Sequence, residues 1–155
     1  MKKLAALALI ALACMAMACK PKEAKPTAPT AVEVNKKLVL DMFQMLFVDH
    51  KVDQAIDTYF DPGYIQHNPG AADGAETIRK LFKGYYTAVP IATSEVKHIV
   101  CEGDLCAVHS HGTQKPGDRG SAIVDIFRIA NGKIAEHWDV VQPVPEKSAN
   151  TNTMF

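Results

Sequence analysis

The sequence predicts an α+β fold in which three helices come first and a mostly antiparallel sheet comes last. Apolar residues recur with helical spacing from Glu33 to His50 and from Ala75 to Ala88. After Thr93 the chain is rich in β-formers, and Asn131-Gly132 between two such runs predicts a tight hairpin. Because helices and strands are segregated along the chain, we expect the helices to pack on one face of the sheet. A curved sheet with three helices on its concave face would enclose a pocket.

The composition fits one globular domain. The chain has 155 residues, of which 48% are hydrophobic and 22% charged, enough to build a core. Its formal net charge is zero, so it lacks the basic footprint of a nucleic-acid-binding protein, and no nucleic-acid partner is expected.

The N-terminus has the pattern of a bacterial secretion signal. Met1-Lys2-Lys3 is a charged start, Leu4 to Ala13 is apolar, and Ala16-Met17-Ala18 precedes Cys19. The apolar run is short for a retained membrane helix. An ordinary signal-peptidase site and a lipoprotein site both predict cleavage before Cys19. We favour the second interpretation, in which residues 1–18 are the signal and lipidated Cys19 anchors the protein to the membrane of the cell envelope, facing the periplasm.

Residues 19–32 are predicted to be a tether. The segment from Lys20 to Thr30 is rich in Pro, Lys and Ala and has almost nothing to bury, so it should be extended and disordered. An anchored domain needs such a spacer. The folded domain is therefore expected to span residues 33–155.

The individual elements follow from local signals. The first helix places Val34, Leu38, Met42, Met45 and Leu46 on one stripe. Asp53 is expected to cap a short second helix, and Asp73-Gly74 to open the third. Strands are predicted at Tyr64–Asn68, Thr93–Cys101 and Leu105–Gly112, followed by the hairpin, and residues 144–155 are expected to pack over the surface.

Cys101 and Cys106 would sit opposite each other if Gly103-Asp104 forms the turn between two strands. A disulfide can then form in an oxidising compartment. Because the loop that it closes is very short, it should add little stability. The alternative is a pair of buried thiols that fill space as small apolar groups.

The hairpin from Gly120 to Gln142 carries polar groups where plain strands would carry aliphatic ones. With a two-residue type I′ turn, Asp125 faces Trp138 and lies on the opposite face from His137 and Asp139. With a type I turn and a bulge at the glycine, Asp125 faces His137 and all three polar groups share one face. The Asn-Gly pair permits both registers.

Histidines and carboxylates form the candidate catalytic set. By strand parity, four histidines, namely His67, His109, His111 and His137, can reach the pocket, together with Asp125 and Asp139. Imidazole and carboxylate groups suit proton transfer near neutral pH, and an apolar cavity raises the pKa of a carboxyl. Each also has a structural explanation, such as a hydrogen bond from His67 to the turn that follows it.

Metal and cofactor chemistry have weaker support. Two histidines of one strand face, His109 and His111, could chelate a cation, but no HExxH or comparable motif is present. The chain also lacks a Gly-rich phosphate loop and a GxSxG motif. We therefore expect neither a metal nor a cofactor.

Two stretches, YIQHNPG (Tyr64 to Gly70) and the segment from Val124 to Phe155, carry a family likeness. From about Glu33 onward the chain resembles the SnoaL-like polyketide cyclases of the nuclear-transport-factor-like superfamily, closest to the small bacterial SnoaL-like aldol-condensation branch. The resemblance implies an α+β cone with a deep pocket, often dimerising through its sheet. It also favours the bulged register, with the three polar groups on one face.

The resemblance also implies a metal-free reaction. Cyclases of this family remove an acidic C–H proton next to a carbonyl group and close a ring by aldol addition. The family's Asp base matches Asp139, and its partner position, often His in cyclases, matches Asp125. In this scheme His137 and His67 would orient the base or donate to the enolate oxygen, and His109 and Asp125 would tune it.

An apolar ligand is expected from the predicted pocket lining, which comprises Phe127, Val141, Met42, Phe43 and Trp138. In the bulged register Trp138 falls on the other face with Arg128 and Glu136, where a homodimer interface could form. Two functions fit these features: an acid–base enzyme acting on a small apolar carbonyl compound, and a lipid-anchored binding protein without turnover. A purely structural dimerisation module is the third hypothesis.

Overall fold

The computed structural model describes residues 28–155. The predicted signal peptide, Cys19 and most of the tether lie outside the described residues. The helices are α1 (Ala31–Phe43, continued by a π-helical turn at Gln44–Val48), α2 (Val52–Tyr59) and α3 (Ala75–Ala88). The strands are β1 (Phe60–Gln66), β2 (Thr93–Glu102), β3 (Leu105–Thr113), β4 (Ser121–Ala130) and β5 (Lys133–Pro143). None of the helices in residues 28–155 is long and apolar enough to cross a membrane.

The first helix begins at a capping box. Thr30 Oγ1 accepts a hydrogen bond from the Glu33 backbone N–H, and the Glu33 carboxylate accepts one from the Thr30 backbone N–H at 2.7 Å. The predicted continuous helix to His50 is wrong at its end, because the last turn is π-helical and His50 adopts a left-handed backbone with φ of 56°. Asp53 does not cap α2; it lies in the first turn and pairs with Arg79.

The five strands form one sheet in the order β1-β5-β4-β3-β2. All neighbours are antiparallel except β1 and β5, which pair in parallel. The predicted α+β architecture is confirmed. The parallel pairing was not anticipated, and it places the first strand beside the last one, so that Gln66 pairs with His137.

The core lies between the helices and one face of the sheet, called the inner face below. Val108, Phe127 and Ile134 of this face are at most 2% exposed and pack against the helices. None of the helices in residues 28–155 packs on the opposite, outer face, and Val100 and Val140 are 71% and 68% exposed there. The sheet therefore offers two very different environments to its side chains.

The hairpin combines features of both predicted registers. Asn131 and Gly132 have φ values of 51° and 71°, as a type I′ turn requires, and Ala130 pairs with Lys133. A bulge follows at once, since Arg128 and Ile129 pair with Glu136 and Ile134 and leave one extra residue on β5. The slip brings Asp125 opposite Asp139, rather than opposite Trp138 or His137 as predicted.

Cys101 and Cys106 are bonded as a disulfide across β2 and β3. The turn between the two strands lies at Gly103-Asp104, as expected. Cys106 is fully buried and packs in the core, so the bond joins the β2–β3 hairpin at the inner face.

The C-terminal segment packs on the outer face. The ring of Phe155 lies 4.3 Å from that of His111 and 5.7 Å from that of His109, measured between ring centroids. This contact agrees with the expectation that residues 144–155 cover part of the surface.

Candidate functional site

A cavity of about 560 Å³ lies between the helices and the inner face of the sheet. Most of its wall is apolar, formed by Phe43, Leu46, Phe47, Phe60, Tyr64, Ile78, Leu81, Phe82, Tyr85, Tyr86, Ile123, Phe127 and Val141 among others. Polar side chains also line it, including Gln66, Asn68, Thr93, Ser94, Gln114, Asp118, Ser121, Asp125, His137 and Asp139. A concave, largely apolar space with a few convergent polar groups is typical of a small-molecule site.

The structure brings six of the predicted site residues together. Phe43, Phe127 and Val141 contribute apolar wall, and Asp125, His137 and Asp139 contribute polar wall. The last three lie side by side on the inner face because of the bulge in β5. One ligating atom from each lies within 4.8 Å of the others.

The remaining predicted residues do not line this cavity. Met42 is fully buried in the core. Trp138 lies on the outer face, where the ring of His67 stacks on it at 4.3 Å. The imidazole of His67 also contacts Glu136, with Nε2 3.1 Å from a carboxylate oxygen.

His109 is likewise outside the cavity. Its strand neighbours Val108 and Ser110 are buried, so His109 points to the outer face, where its ring lies 5.7 Å from that of His98. His111 lies on the same face as His109 and is not among the lining residues either. The prediction that His67, His109 and His111 reach the pocket by strand parity is therefore wrong, because the opposite face of their strands is the buried one.

Asp125 and His137 form a buried pair. His137 Nε2 lies 3.0 Å from Asp125 Oδ1, and the two side chains are only 10% and 9% exposed. Burial raises the pKa of the Asp125 carboxyl, and the hydrogen bond with His137 offsets part of that rise. Desolvation thus favours keeping a proton within this pair.

Gln66 fixes the orientation of the His137 ring. Its Oε1 accepts the backbone N–H of Asn68 at 3.0 Å, and its Nε2 donates to the Tyr64 hydroxyl at 3.1 Å. Because Oε1 can only accept, His137 Nδ1, 3.0 Å away, must carry a hydrogen and donate it. The other nitrogen, Nε2, therefore shares a single proton with Asp125, and the pair is neutral overall wherever that proton resides.

Asn68 holds Asp139 as an acceptor. Its Oδ1 accepts the Gly70 backbone N–H at 2.7 Å, which directs its Nδ2 towards Asp139. That amide nitrogen lies 2.7 and 2.9 Å from the two carboxylate oxygens. This amide donor suits the acceptor-only carboxylate form of Asp139, which lies beside the proton-sharing pair.

Tyr64 adds a hydroxyl to the same wall. Burial, together with the nearby Asp125 and Asp139 carboxyls, raises the pKa of Tyr64, so the phenol stays protonated. It accepts from Gln66, and its own O–H can donate to a ligand in the cavity.

Divalent cations also take oxygen and imidazole donors of this kind, and Asp125, His137 and Asp139 are close enough to hold one. Their present hydrogen-bond partners are one another, Gln66 and Asn68. A cation would have to displace those contacts.

Sequence reasoning missed Gln66, Asn68 and Tyr64. The signal was available, since an aromatic residue such as Tyr64 in a strand usually faces the core. Alternation then places Gln66 and Asn68 on the same side and His67 on the other. In the YIQHN segment, the residue that suggests catalysis, His67, is therefore not one of those that line the cavity.

The comparisons with known proteins agree on the fold. Among solved structures, a candidate polyketide cyclase from Acidithiobacillus ferrooxidans is 15% identical with a TM-score of 0.61, covering 73% of this chain and 91% of its own. A SnoaL-like candidate cyclase from Jannaschia is 19% identical with a TM-score of 0.61, covering 75% and 91%. AclR of Streptomyces galilaeus, a candidate hydroxylase, is 24% identical with a TM-score of 0.61, covering 72% and 91%.

These solved structures share the α+β cone, and their low identity carries no function across. No curated protein matches the chain. The family model described as SnoaL-like domain matches residues 39–137, which is more than half of the chain. The chain therefore belongs to the SnoaL-like domain family.

Proposed function

We propose that this protein is a metal-free acid–base enzyme acting on a small, largely apolar carbonyl compound. The reaction would begin by removing a proton from the carbon next to the carbonyl group, as in aldol or isomerase chemistry. One observation carries the proposal: the carboxyl group of Asp139, held by an amide donor, lies beside a buried pair that shares one proton, and both face a largely apolar cavity.

Asp139 would be the base. Asn68 is its hydrogen-bond donor and holds both oxygens in place, so the carboxylate is positioned before a ligand arrives. An apolar ligand would exclude water from the cavity and make the carboxylate a stronger base than it is in solution.

The Asp125–His137 pair would supply the acid. As the carbon loses its proton to Asp139, negative charge develops on the carbonyl oxygen. A proton held between His137 Nε2 and Asp125 can be donated to that oxygen, and the Tyr64 hydroxyl can add a hydrogen bond. Gln66 would keep the imidazole ring in the orientation that this transfer needs.

The roles predicted for His67 and His109 do not enter this scheme, since both residues lie on the outer face. The orienting role passes to Gln66 and Asn68. Phe127, whose ring centroid is 5.0 Å from that of His137, would pack against the apolar part of the ligand.

The test is a thermal-shift screen of apolar ketones on the domain, followed by turnover assays on every ketone that binds. A ligand that binds the folded state raises the midpoint by mass action. Asp139→Asn should bind the same ketones and lose turnover by about a hundredfold or more. Glu136→Gln, the same kind of change on the outer face, should behave as wild type.

Ketones that are consumed equally by Asp139→Asn and wild type would refute the assignment of the base. The assays are repeated with a chelator. Loss of turnover on chelation would indicate that a cation bound by Asp125, His137 and Asp139 is needed for catalysis.

The alternative is a binding protein without turnover. It is favoured by one observation, namely that all three polar groups are already satisfied by partners within the protein. In that case ketones bind wild type and Asp139→Asn alike, and neither protein consumes them.

We also propose the setting in which the domain works. Lipidation at Cys19 would anchor it in the bacterial cell envelope facing the periplasm, and the part of the outer face that the C-terminal segment leaves exposed would support a homodimer. The sequence pattern before Cys19 and the exposed Val140 support these two points. Labelling with a fatty-acid analogue, compared between wild type and Cys19→Ser, and the mass of the domain in solution would test them.

A further inference from the structure

We infer that Asp118 makes the cavity select its ligand by charge, so that a ligand carrying an amino group at the rim binds more tightly than its carboxylate counterpart. The inference rests on the proposed function only for the carbonyl nature of the ligand. It adds a specificity-determining residue away from the proposed chemistry.

The charged side chains of the cavity wall are mainly acidic. Within residues 28–155, the lining contains three carboxyl groups, those of Asp118, Asp125 and Asp139, and neither Lys nor Arg. Asp125 has His137 as its partner, whereas Asp118 and Asp139 have no cationic partner in the lining. A cavity of this kind repels an anionic ligand and attracts a cationic one.

Asp118 is held as a carboxylate by the loop that follows β3. One oxygen accepts the backbone N–H of Gly120 at 3.0 Å, and the other accepts that of Gln114 at 3.1 Å. These two hydrogen bonds hold the pKa of Asp118 below its ordinary value, with smaller contributions from Lys115 and Arg119. The negative charge of Asp118 is therefore fixed in position at the edge of the cavity.

The two neighbouring cations do not reverse this polarity inside the cavity. Neither Lys115 nor Arg119 is among the lining residues, and Arg119 Nε instead donates to the backbone carbonyl of Val144 at 3.3 Å. The polar side chains that share the lining with Asp118, namely Thr93, Ser94, Gln114 and Ser121, are neutral.

Aromatic rings line the same cavity and would add to the preference. Tyr85 and Tyr86 lie with their centroids 5.2 Å apart, and Phe82 stacks against Tyr86 at 5.8 Å. The face of an aromatic ring attracts an ammonium group and gives nothing comparable to a carboxylate.

Three acetophenones of nearly equal size provide the probes, with a para-aminomethyl, a para-hydroxymethyl or a para-carboxy group. In calorimetric titrations wild type should bind the amine about three- to fivefold more tightly than the neutral alcohol, as expected for a solvent-accessible charge pair. The carboxylate should bind more weakly than the alcohol. Raising the salt from about 0.01 to about 1 M should shrink both differences.

Asp118→Asn should bring the three affinities closer together than in wild type, since it removes the charge at this position, leaves Asp139 in place and keeps an oxygen for the Gly120 N–H. Asp61→Asn is the matched control. Asp61 also accepts the N–H of the residue two positions on, Gly63 at 2.8 Å, and it does not line the cavity. This control should keep the wild-type order of affinities.

Several results would overturn the inference: equal binding of the amine and the carboxylate to wild type, a preference that resists salt, undiminished differences in Asp118→Asn, or no binding of any probe. The salt series tests the charge selection itself even if Asp118→Asn does not fold. Turnover is scored separately by NMR. The predicted order of affinities without turnover would refute the enzyme proposal and leave the charge selectivity standing.

Discussion

Two histidine–carboxylate pairs lie on opposite faces of the same sheet, and their nitrogen–oxygen distances are nearly the same. His137 Nε2 lies 3.0 Å from Asp125 on the inner face, and His67 Nε2 lies 3.1 Å from Glu136 on the outer face. The side chains of the inner pair are 10% and 9% exposed, whereas those of the outer pair are 38% and 23% exposed.

A short distance between an imidazole nitrogen and a carboxylate oxygen therefore does not by itself make such a pair a candidate for catalysis. On the inner face both side chains are nearly buried, burial raises the pKa of Asp125, and Gln66 fixes the orientation of the His137 ring. On the outer face water screens the interaction, and the imidazole of His67 serves mainly to stack on Trp138.

The largest expected effect is a difference in the free energy of unfolding between variants of the two pairs. His137→Ala should lower the free energy of unfolding by about 3 kcal/mol, because it removes one partner of a buried pair and leaves Asp125 without it. His67→Ala, its counterpart on the outer face, should cost less than about 1 kcal/mol. Urea unfolding of both variants at neutral pH measures the difference, and equal losses would show that the two faces are not distinct.

A pH series sharpens the comparison. The folded-state pKa of Asp125 lies above its ordinary value of 3.8, so the folded protein binds more protons than the unfolded chain between those two values. The stabilisation from protonated Asp125 is therefore full below pH 3.8 and is lost as the pH rises through the folded pKa.

Asp125→Asn cannot ionise and should lack this decline, so the stability of wild type relative to the variant should fall as the pH rises from 3.8. Glu136→Gln leaves Asp125 intact and should keep the wild-type slope. Thermal midpoints across the acidic and neutral range provide the test. An Asp125→Asn curve parallel to that of wild type would mean that Asp125 is not desolvated as the structure indicates.

The smallest effect is expected on the outer face. Arg128 contacts Glu136 and Asp104 at 3.0 Å each and lies 5.6 Å above the Trp138 ring, all at a partly solvated surface. Arg128→Met should change the urea midpoint less than His67→Ala does, and added salt should reduce the change further. A salt-independent loss would indicate that this cluster is buried, for example in a dimer.

The fold could be predicted because its signals are local. Helical periodicity identified α1 and α3, and Asn131-Gly132 identified the β4–β5 turn. The bulge in β5 and the parallel pairing of β1 with β5 depend on contacts between distant segments, which no short pattern encodes. The bulge decides that Asp125, Asp139 and His137 meet on one face, and the parallel pairing brings Gln66 beside His137.

The site was predicted only in part, and the reason is the same. Asp125, His137 and Asp139 stood out because a strand interior seldom carries such groups. His67 and His109 were assigned to the pocket by strand parity, but the other face of each strand is the buried one, and for His67 the alternation from Tyr64 could have shown it. Gln66 and Asn68 were overlooked because an amide side chain does not by itself indicate a catalytic role. They matter because they orient His137 and Asp139.

The central claim is that the inner face, and not the outer one, exchanges protons with a bound carbonyl compound. The most direct measurement is deuterium incorporation next to the carbonyl group of a bound ketone in heavy water, followed by NMR. Wild type and His67→Ala should exchange at similar rates, and Asp139→Asn should be slower by about a hundredfold or more. Equal rates for Asp139→Asn and wild type, or an equal loss in His67→Ala, would contradict the account.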